Sequence, residues 1–259
     1  MSYQTILLEV KDSIAIVTIN RPEALNALSK LVLEELGKVL EVLSGDREVK
    51  AIILTGKGTK AFVAGADIAE LSALTPTQAY DFSREGQMLF EQIENFPKII
   101  VAAINGYALG GGCELAMACH LRIASDNAIF GQPEVKLGLI AGYGGTQRLP
   151  RIIGRTKATE FLITGQNFDA DTALSLGLVN YVVMQGELIE KATELIQQCL
   201  KNSLSAIGYT LSAINAYYQK PGYEGFIQEA HYFSKAAASE DGKEGTKAFL
   251  EKRKPKFNN

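Results

Sequence analysis

The reading of this chain turns on the stretch Ile99-Ile100-Val101-Ala102-Ala103-Ile104-Asn105-Gly106-Tyr107-Ala108-Leu109-Gly110-Gly111-Gly112-Cys113-Glu114-Leu115. The apolar run Ile99 to Ile104 predicts a buried strand, and the glycine triplet leads into a short helix with an acid in its first turn. Glycines let backbone N–H groups approach a ligand without side-chain obstruction. A helix N-terminus adds unpaired N–H groups and the positive end of the helix dipole. The turn is therefore a candidate cradle for an anion, or for a carbonyl oxygen that gains negative charge in a reaction. The bland reading is a tight strand-to-helix turn whose acid suits the dipole, and this segment alone does not choose between the two. A dinucleotide fingerprint is excluded, because the glycines are not spaced GxGxxG and no acid stands at the required distance.

Toward the N-terminus, Lys60-Ala61-Phe62-Val63-Ala64-Gly65-Ala66-Asp67-Ile68 also follows a buried strand, Ala51 to Leu54, and precedes a helical stretch. Two small-residue loops after two neighbouring strands could each supply one N–H to a single carbonyl oxygen. The nearby Thr55-Gly56-Lys57-Gly58-Thr59-Lys60 fails the Walker spacing, which leaves Lys57 and Lys60 as surface lysines. Toward the C-terminus, Phe130-Gly131-Gln132-Pro133-Glu134 precedes Gly138, Gly142 and Gly144-Gly145-Thr146-Gln147-Arg148-Leu149. Alone, Glu134 reads as a solvated loop acid. Paired with Glu114 it becomes a candidate for two-carboxylate acid–base chemistry, which needs environments that set different protonation states. Arg148, Arg151, His120, His231 and Cys113 read as structural or surface groups.

Composition narrows the field. A chain of 259 residues lies near the upper size for one hydrophobic core. With 47% apolar residues, 21% charged residues and a net charge of −3, it has no general attraction for nucleic acid or anionic membrane. The three cysteines, Cys113, Cys119 and Cys199, show no CxxC spacing and suit a reducing compartment without a disulfide frame or structural zinc. Two histidines without HExxH argue against a His-rich metal site, and no metal ligand is assigned. No apolar run approaches the length of a membrane span, and strand-like sequence with Ile6, Leu8 and Val10 alternating begins almost at once. The expectation is a cytoplasmic protein with no targeting segment.

Strands are expected at Thr5 to Val10, Ile14 to Ile19, Leu121 to Ser125 and Ala128 to Phe130. Ser29 should cap a helix with the stripe Val32, Leu36, Val39, Leu40, Leu43 that ends before Gly45. Thr75-Pro76-Thr77-Gln78 predicts a capping box at the start of a helix that runs to Phe96. From about Gly145 the pattern is mostly helical. The fold class is α/β, with a helical C-terminal portion that cannot bury its own faces alone.

Several long motifs, in order, give the chain a family likeness. They are Asn20-Arg21-Pro22 with Leu25-Asn26-Ala27-Leu28, Ala64-Gly65-Ala66-Asp67, Asn105-Gly106 through Glu114, Phe130 to Glu134, Gly144 to Leu149, and the tail Glu244-Gly245 to Arg253. Together they resemble the enoyl-CoA hydratase/isomerase (crotonase) family over nearly the whole chain. The resemblance implies a crotonase-like spiral of ββα units, read here as a catalytic core over 1–195. It also implies a helical trimerisation region over 196–259, with the trimer often paired into a hexamer.

The implied substrate is an acyl-CoA thioester, with coenzyme A part of the substrate and no separate cofactor. Its thioester oxygen would sit between the N–H groups of Ala66 and Gly111. Ala24, Ala64, Asp67 and Ile68 would lie along the CoA moiety, largely through backbone. The implied reaction adds water to a trans-2-enoyl-CoA. Glu114 would deprotonate the water that attacks C3, Glu134 would protonate C2, and Gly142 would help to orient Glu134 or the water. Ala69 stands where family hydratases often carry a lysine, which leaves Lys57, Lys60 or Lys252 as substitute phosphate contacts. Ala141 replaces a common proline. Tyr143 is bulky and either narrows the acyl pocket toward short chains or packs on a neighbouring helix. Isomerases of the family commonly replace one glutamate, so the retained pair favours a hydratase. RNA-binding relatives would carry a basic first helix, whereas Glu34, Glu35 and Glu41 here oppose Lys30 and Lys38.

Overall fold

A computed structural model describes residues 3–71, 74–219 and 223–257. An antiparallel hairpin opens the chain, β1 (Ile6–Lys11) and β2 (Ile14–Ile19), turning at Asp12 and Ser13. Helix α1 (Lys30–Gly45) follows, with Ser29 Oγ accepting from Val32 N at 3.3 Å. Its buried stripe includes Val32, Leu36, Val39, Leu40 and Leu43, as the periodicity predicts. Gly45 is the last residue of the helix rather than the first beyond it, and Asp46 caps it.

The chain then repeats one pattern three times. β3 (Ala51–Gly56) and β4 (Ala61–Val63) lead to α2 (Ile68–Leu71) and α3 (Pro76–Glu94). β5 (Ile99–Ile104) and β6 (Tyr107–Leu109) lead to α4 (Gly111–Ala118). β7 (Leu121–Ser125) and β8 (Ile129–Gly131) lead, through a short 3₁₀ turn at Pro133–Leu137, to α5 (Gly145–Ile153) and α6 (Arg155–Thr164). In each repeat the first strand joins one sheet, the second joins another, and a helix returns the chain.

The larger sheet has the order β1-β2-β3-β5-β7-β10, parallel from β2 onward. Strand side chains alternate between faces. Ile52, Leu54, Ile100, Ala102 and Ile104 enter the main core, while Ile53, Ile99, Val101 and Ala103 enter a second core on the other face. A parallel sheet covered on both sides explains why these strands are apolar throughout. The smaller sheet, β4-β6-β8-β9, is parallel across its first three strands.

The stretch after Gly145 departs from its helical expectation at β9 (Phe168–Asp169), before α7 (Ala170–Ser175), and at β10 (Tyr181–Val183). Strands of two or three residues are too short to display an alternating pattern. α8 (Leu188–Cys199) covers the second core with Leu188, Ala192 and Ile196. The division expected at 195/196 therefore falls inside a helix that packs on the sheet. Beyond it come α9 (Leu204–Gln219), α10 (Tyr223–Ala238) and α11 (Glu240–Leu250), with Ser203 Oγ donating to the buried Asp241 at 2.6 Å.

Candidate active site

β4, β6 and β8 run side by side and in parallel, so the loops that leave their C-terminal ends emerge together. These are residues 64–67, 110–112 and 132–134, which belong to the three segments that the sequence singles out. Ligands of open parallel sheets bind outside the carboxyl ends of the strands, which makes this end of the smaller sheet the candidate site.

The glycines allow this closeness. A Cβ at Gly112 would overlap the carbonyl of Val63 at the end of β4. A Cβ at Gly110 would lie 2.6 Å from Oε1 of Glu134, and Gly110 has a φ of +49°. The Gly110 amide donates to Gly131 O at 2.9 Å, tying the second loop to the third. Gly111 is the first residue of α4, where the helix offers its N–H no acceptor.

The first loop is held by residues 25–28. Ala64 N donates to Leu25 O, Leu28 N to Gly65 O, and Asp67 N to Leu28 O, at 2.9–3.1 Å. This zipper brackets Ala66 and leaves its own N–H out of the ladder. The bond from Ala64 N to Leu25 O brings Ala64, expected along the CoA moiety with Ala24, Asp67 and Ile68, to the residue that follows Ala24. Asp67 is already engaged, with Oδ2 3.1 Å from Arg21 Nη2 and Oδ1 accepting from Ala69 N at 3.2 Å. Ile68 is exposed, as are Lys57, Lys60 and Lys252.

Two buried asparagines, unremarked beyond their motifs in the sequence, brace these loops. Asn26 Nδ2 donates to Lys57 O and Ala61 O, and Asn105 Nδ2 donates to Gly56 O and Gly58 O, at 2.7–3.0 Å.

Glu114 is 1% exposed and its Oε1 accepts from Tyr143 N at 2.8 Å and from Gly145 N at 2.6 Å. Burial pushes its carboxyl up to about 7; Glu134 adds to the rise, while the two amides and Arg148 oppose it. Glu134 is half-buried and its carboxyl is also raised by burial. The Gln132 side-chain amide, with its nitrogen toward Glu134, donates to both carboxylate oxygens at 3.2 Å. Burial pushes the Cys113 thiol up to about 12, so it packs as an uncharged group beside the pair.

Gly142 contributes its carbonyl to Ser83 and Gln87 of α3; the amides on Glu114 belong to the next residues along. Tyr143 N and Gly145 N are backbone donors, which leave no residue-type signal in the sequence. Tyr143 itself is buried against α3, with ring centroids 5.4 Å from both Phe82 and Phe90. The other edge of its ring faces Gly111, where a Cβ would meet Cδ2 at 3.2 Å. Opposite edges of one ring thus lie against Gly86 of α3 and Gly111 of α4.

Arg148 is largely buried, donating from Nη1 to Tyr143 O at 3.0 Å and from Nη2 to Glu94 at 2.9 Å. His120 lies outside the site; its Nδ1 accepts from Ile100 N at 3.0 Å, and burial pushes it down to about 4.

Two carboxyl groups in unlike surroundings thus stand beside two amides that lack acceptors among the described residues, on loops from three adjacent strands. The profile of the enoyl-CoA hydratase/isomerase family matches residues 9–259. The chain belongs to that family. Among family members, the short-chain-enoyl-CoA hydratase of Clostridium acetobutylicum is 44% identical, covering 98% of this chain and 97% of that protein. The crotonyl-CoA hydratase of Syntrophomonas wolfei is also 44% identical, covering 99% of each. The crystal structure of enoyl-CoA hydratase from Bacillus anthracis matches with a TM-score of 0.91 at 37% identity, covering 98% of this chain and 99% of that one. The crotonase-type spiral expected from the motifs is therefore the fold of this family member.

Proposed function

We propose that the chain is an enoyl-CoA hydratase that adds water reversibly to short trans-2-enoyl-CoA thioesters, giving 3-hydroxyacyl-CoA. The observation that carries this reading is the convergence of Ala66 N–H, Gly111 N–H, Glu114 and Glu134 at the ends of β4, β6 and β8. The names of the two 44% identical relatives support the short-chain substrate.

The thioester carbonyl lies between the Ala66 and Gly111 amides. As water adds at C3, negative charge moves through C2 to the thioester oxygen, and these amides and the α4 dipole stabilise it. Loss of one such donor costs about 3 kcal/mol of barrier. Glu114 in its ionised form, which two amides favour, takes a proton from the attacking water. Glu134 delivers a proton to C2, and exchange with solvent restores both groups. One C–O bond and one C–H bond form, the C2–C3 double bond is consumed, and no redox cofactor is needed.

Ala24, Ala64, Asp67 and Ile68 line the path of the CoA moiety, mainly through backbone. Gly142 acts through its carbonyl, and Tyr143 closes the acyl end of the pocket. The protein assembles as a homotrimer or a dimer of trimers in the cytoplasm. The exposed apolar loop Val135, Leu137, Leu139 and Ile140 supports a covered surface in an assembly. Among the described residues, no helix is long and apolar enough to cross a membrane.

The test is hydration of crotonyl-CoA, followed as loss of the conjugated thioester absorbance, for the wild type, Glu114→Gln and Glu134→Gln. We expect turnover by the wild type and a loss of about 10²–10⁴-fold in each variant. Absence of turnover on every enoyl-CoA chain length would overturn the hydratase reading, and equal turnover by a variant would remove that carboxyl from the chemistry.

A further inference from the structure

The Tyr143 amide that donates to Glu114 lies outside any helix or strand, just ahead of α5. One face of α3 holds it in place. Ser83 Oγ donates to the Gly142 carbonyl at 2.6 Å, and Gln87 Nε2 donates to the same oxygen at 2.9 Å. Gln87 Nε2 also reaches Ser83 Oγ at 3.1 Å, so the two side chains form one clamp. The Gly142 carbonyl and the Tyr143 N–H are opposite ends of a single planar trans peptide and point in opposite directions. Holding the oxygen toward α3 therefore aims the N–H at Glu114.

Gly86, between Ser83 and Gln87, completes the arrangement. A Cβ there would overlap Cδ1 and Cε1 of Tyr143, while Phe82 and Phe90, one turn away on each side, flank the ring. A buried glycine inside a helix is disfavoured relative to alanine, and here the slot it leaves is filled.

We infer that Ser83 and Gln87 are positioning residues for Glu114, acting through the Gly142–Tyr143 peptide, with Gly86 providing the seat for the Tyr143 ring. The inference rests on Glu114 as the base of the proposed reaction. Around that carboxyl stand Glu134 from the loop after β8, Arg148 from α5, the Tyr143 phenol, and Cys113 from its own helix. None of these groups is substituted in a Ser83/Gln87 variant. Loss of the clamp frees the peptide to rotate, and Glu114 keeps only the Gly145 amide. Its carboxyl then binds a proton more tightly.

The experiment is the pH dependence of crotonyl-CoA hydration by the double variant Ser83→Ala/Gln87→Ala, with Ser83→Thr as the conservative control. We expect the acid limb of kcat to move up by about one unit, kcat near neutrality to fall about tenfold, and KM to stay within about twofold. Ser83→Thr keeps the hydroxyl and should retain the wild-type limb. A folded double variant with an unmoved acid limb would overturn the inference, whatever its kcat. Should the wild type hydrate no enoyl-CoA, the hydratase reading fails separately. The clamp is then read from the carboxyl ¹³C titration of Glu114, assigned by its absence in Glu114→Gln. An unchanged midpoint in the double variant would again overturn it.

Discussion

The backbone amide of Tyr143 lies 2.8 Å from Oε1 of Glu114, and the same residue's carbonyl lies 3.0 Å from Nη1 of Arg148. One residue therefore links a buried acid to a buried base through its two backbone groups. This relationship decides how Glu114 can stay ionised while almost wholly out of water. Burial opposes its charge, two amides and Arg148 favour it, and the balance falls at about 7.

The first consequence is kinetic. A base that titrates at about 7 is half protonated at neutrality. We expect kcat/KM for crotonyl-CoA hydration to climb with pH through this region and to fall on the acid side as Glu114 gains a proton. Glu134 is coupled to it, so the limb belongs to the pair. A rate profile from pH 5 to 9 checks this, and a flat profile across pH 6 to 8 would contradict Glu114 as the base.

The second is thermodynamic and has the opposite sign from a salt-bridged acid. The folded carboxyl holds its proton up to about 7, against an ordinary 4.5. Its contribution to stability is full below 4.5 and is lost as pH rises through about 7. Such a shift corresponds to on the order of 3 kcal/mol. Glu114→Gln keeps an oxygen for both amides and carries no charge. We expect it to melt at a higher temperature than the wild type at pH 8, with the advantage shrinking toward pH 4.5. Paired melting curves at the two pH values decide the matter.

Gly110 gives a prediction about geometry. With a φ of +49° it occupies backbone space that disfavours a side chain, and a Cβ would press on Glu134 Oε1. Gly138 has a φ of +71° but open space where a Cβ would stand. Alanine at either site should cost about 1 kcal/mol or more of stability. Only Gly110→Ala should also lower kcat, on the order of a hundredfold, by displacing the acid. Similar kcat values for the two variants would show that Glu134 tolerates displacement.

Much of this was legible in the sequence because it depended on residue types with strong local signals. The apolar runs at Ile99–Ile104 and Ala51–Leu54, the Thr75/Gln78 capping box and the glycine triplet each found their predicted element. Glu114 and Glu134 could be named, but not their surroundings. Neither the amides of Tyr143 and Gly145 nor the seat at Gly86 has a side chain that announces its use. β9 and β10 escaped because they exist only as short edge pairings set by the rest of the fold.

The sequence leaves Arg148 a structural or a surface charge, and its geometry makes it the former. It braces the 143–145 turn from below, and a Cβ at Gly144 would overlap its Nη1. Removing the guanidinium leaves Glu94 and the Tyr143 carbonyl without that donor. We expect Arg148→Ala to cost about 2 kcal/mol of unfolding free energy, with Arg148→Lys recovering little, since one ammonium cannot span both acceptors. Denaturant midpoints for the two variants test this.

Tyr143 offers the sharpest separation of packing from specificity. Its hydroxyl is buried and has no hydrogen-bond partner among the described residues, and its ring lies beside Phe82 and Phe90. An unpaired buried hydroxyl costs about 1–3 kcal/mol. Tyr143→Phe removes that cost while keeping the ring, so we expect a more stable protein whose turnover of crotonyl-CoA changes little. Tyr143→Ala empties the slot over Gly86 and opens space beside Gly111. That variant should lose about 3 kcal/mol of stability, in the range of large aromatic truncations. If the ring closes the acyl pocket, its kcat/KM for enoyl-CoA chains of six or eight carbons should rise relative to crotonyl-CoA. A chain-length preference identical in the wild type and Tyr143→Ala would leave the ring a packing role alone, and the short-chain preference would then need another wall.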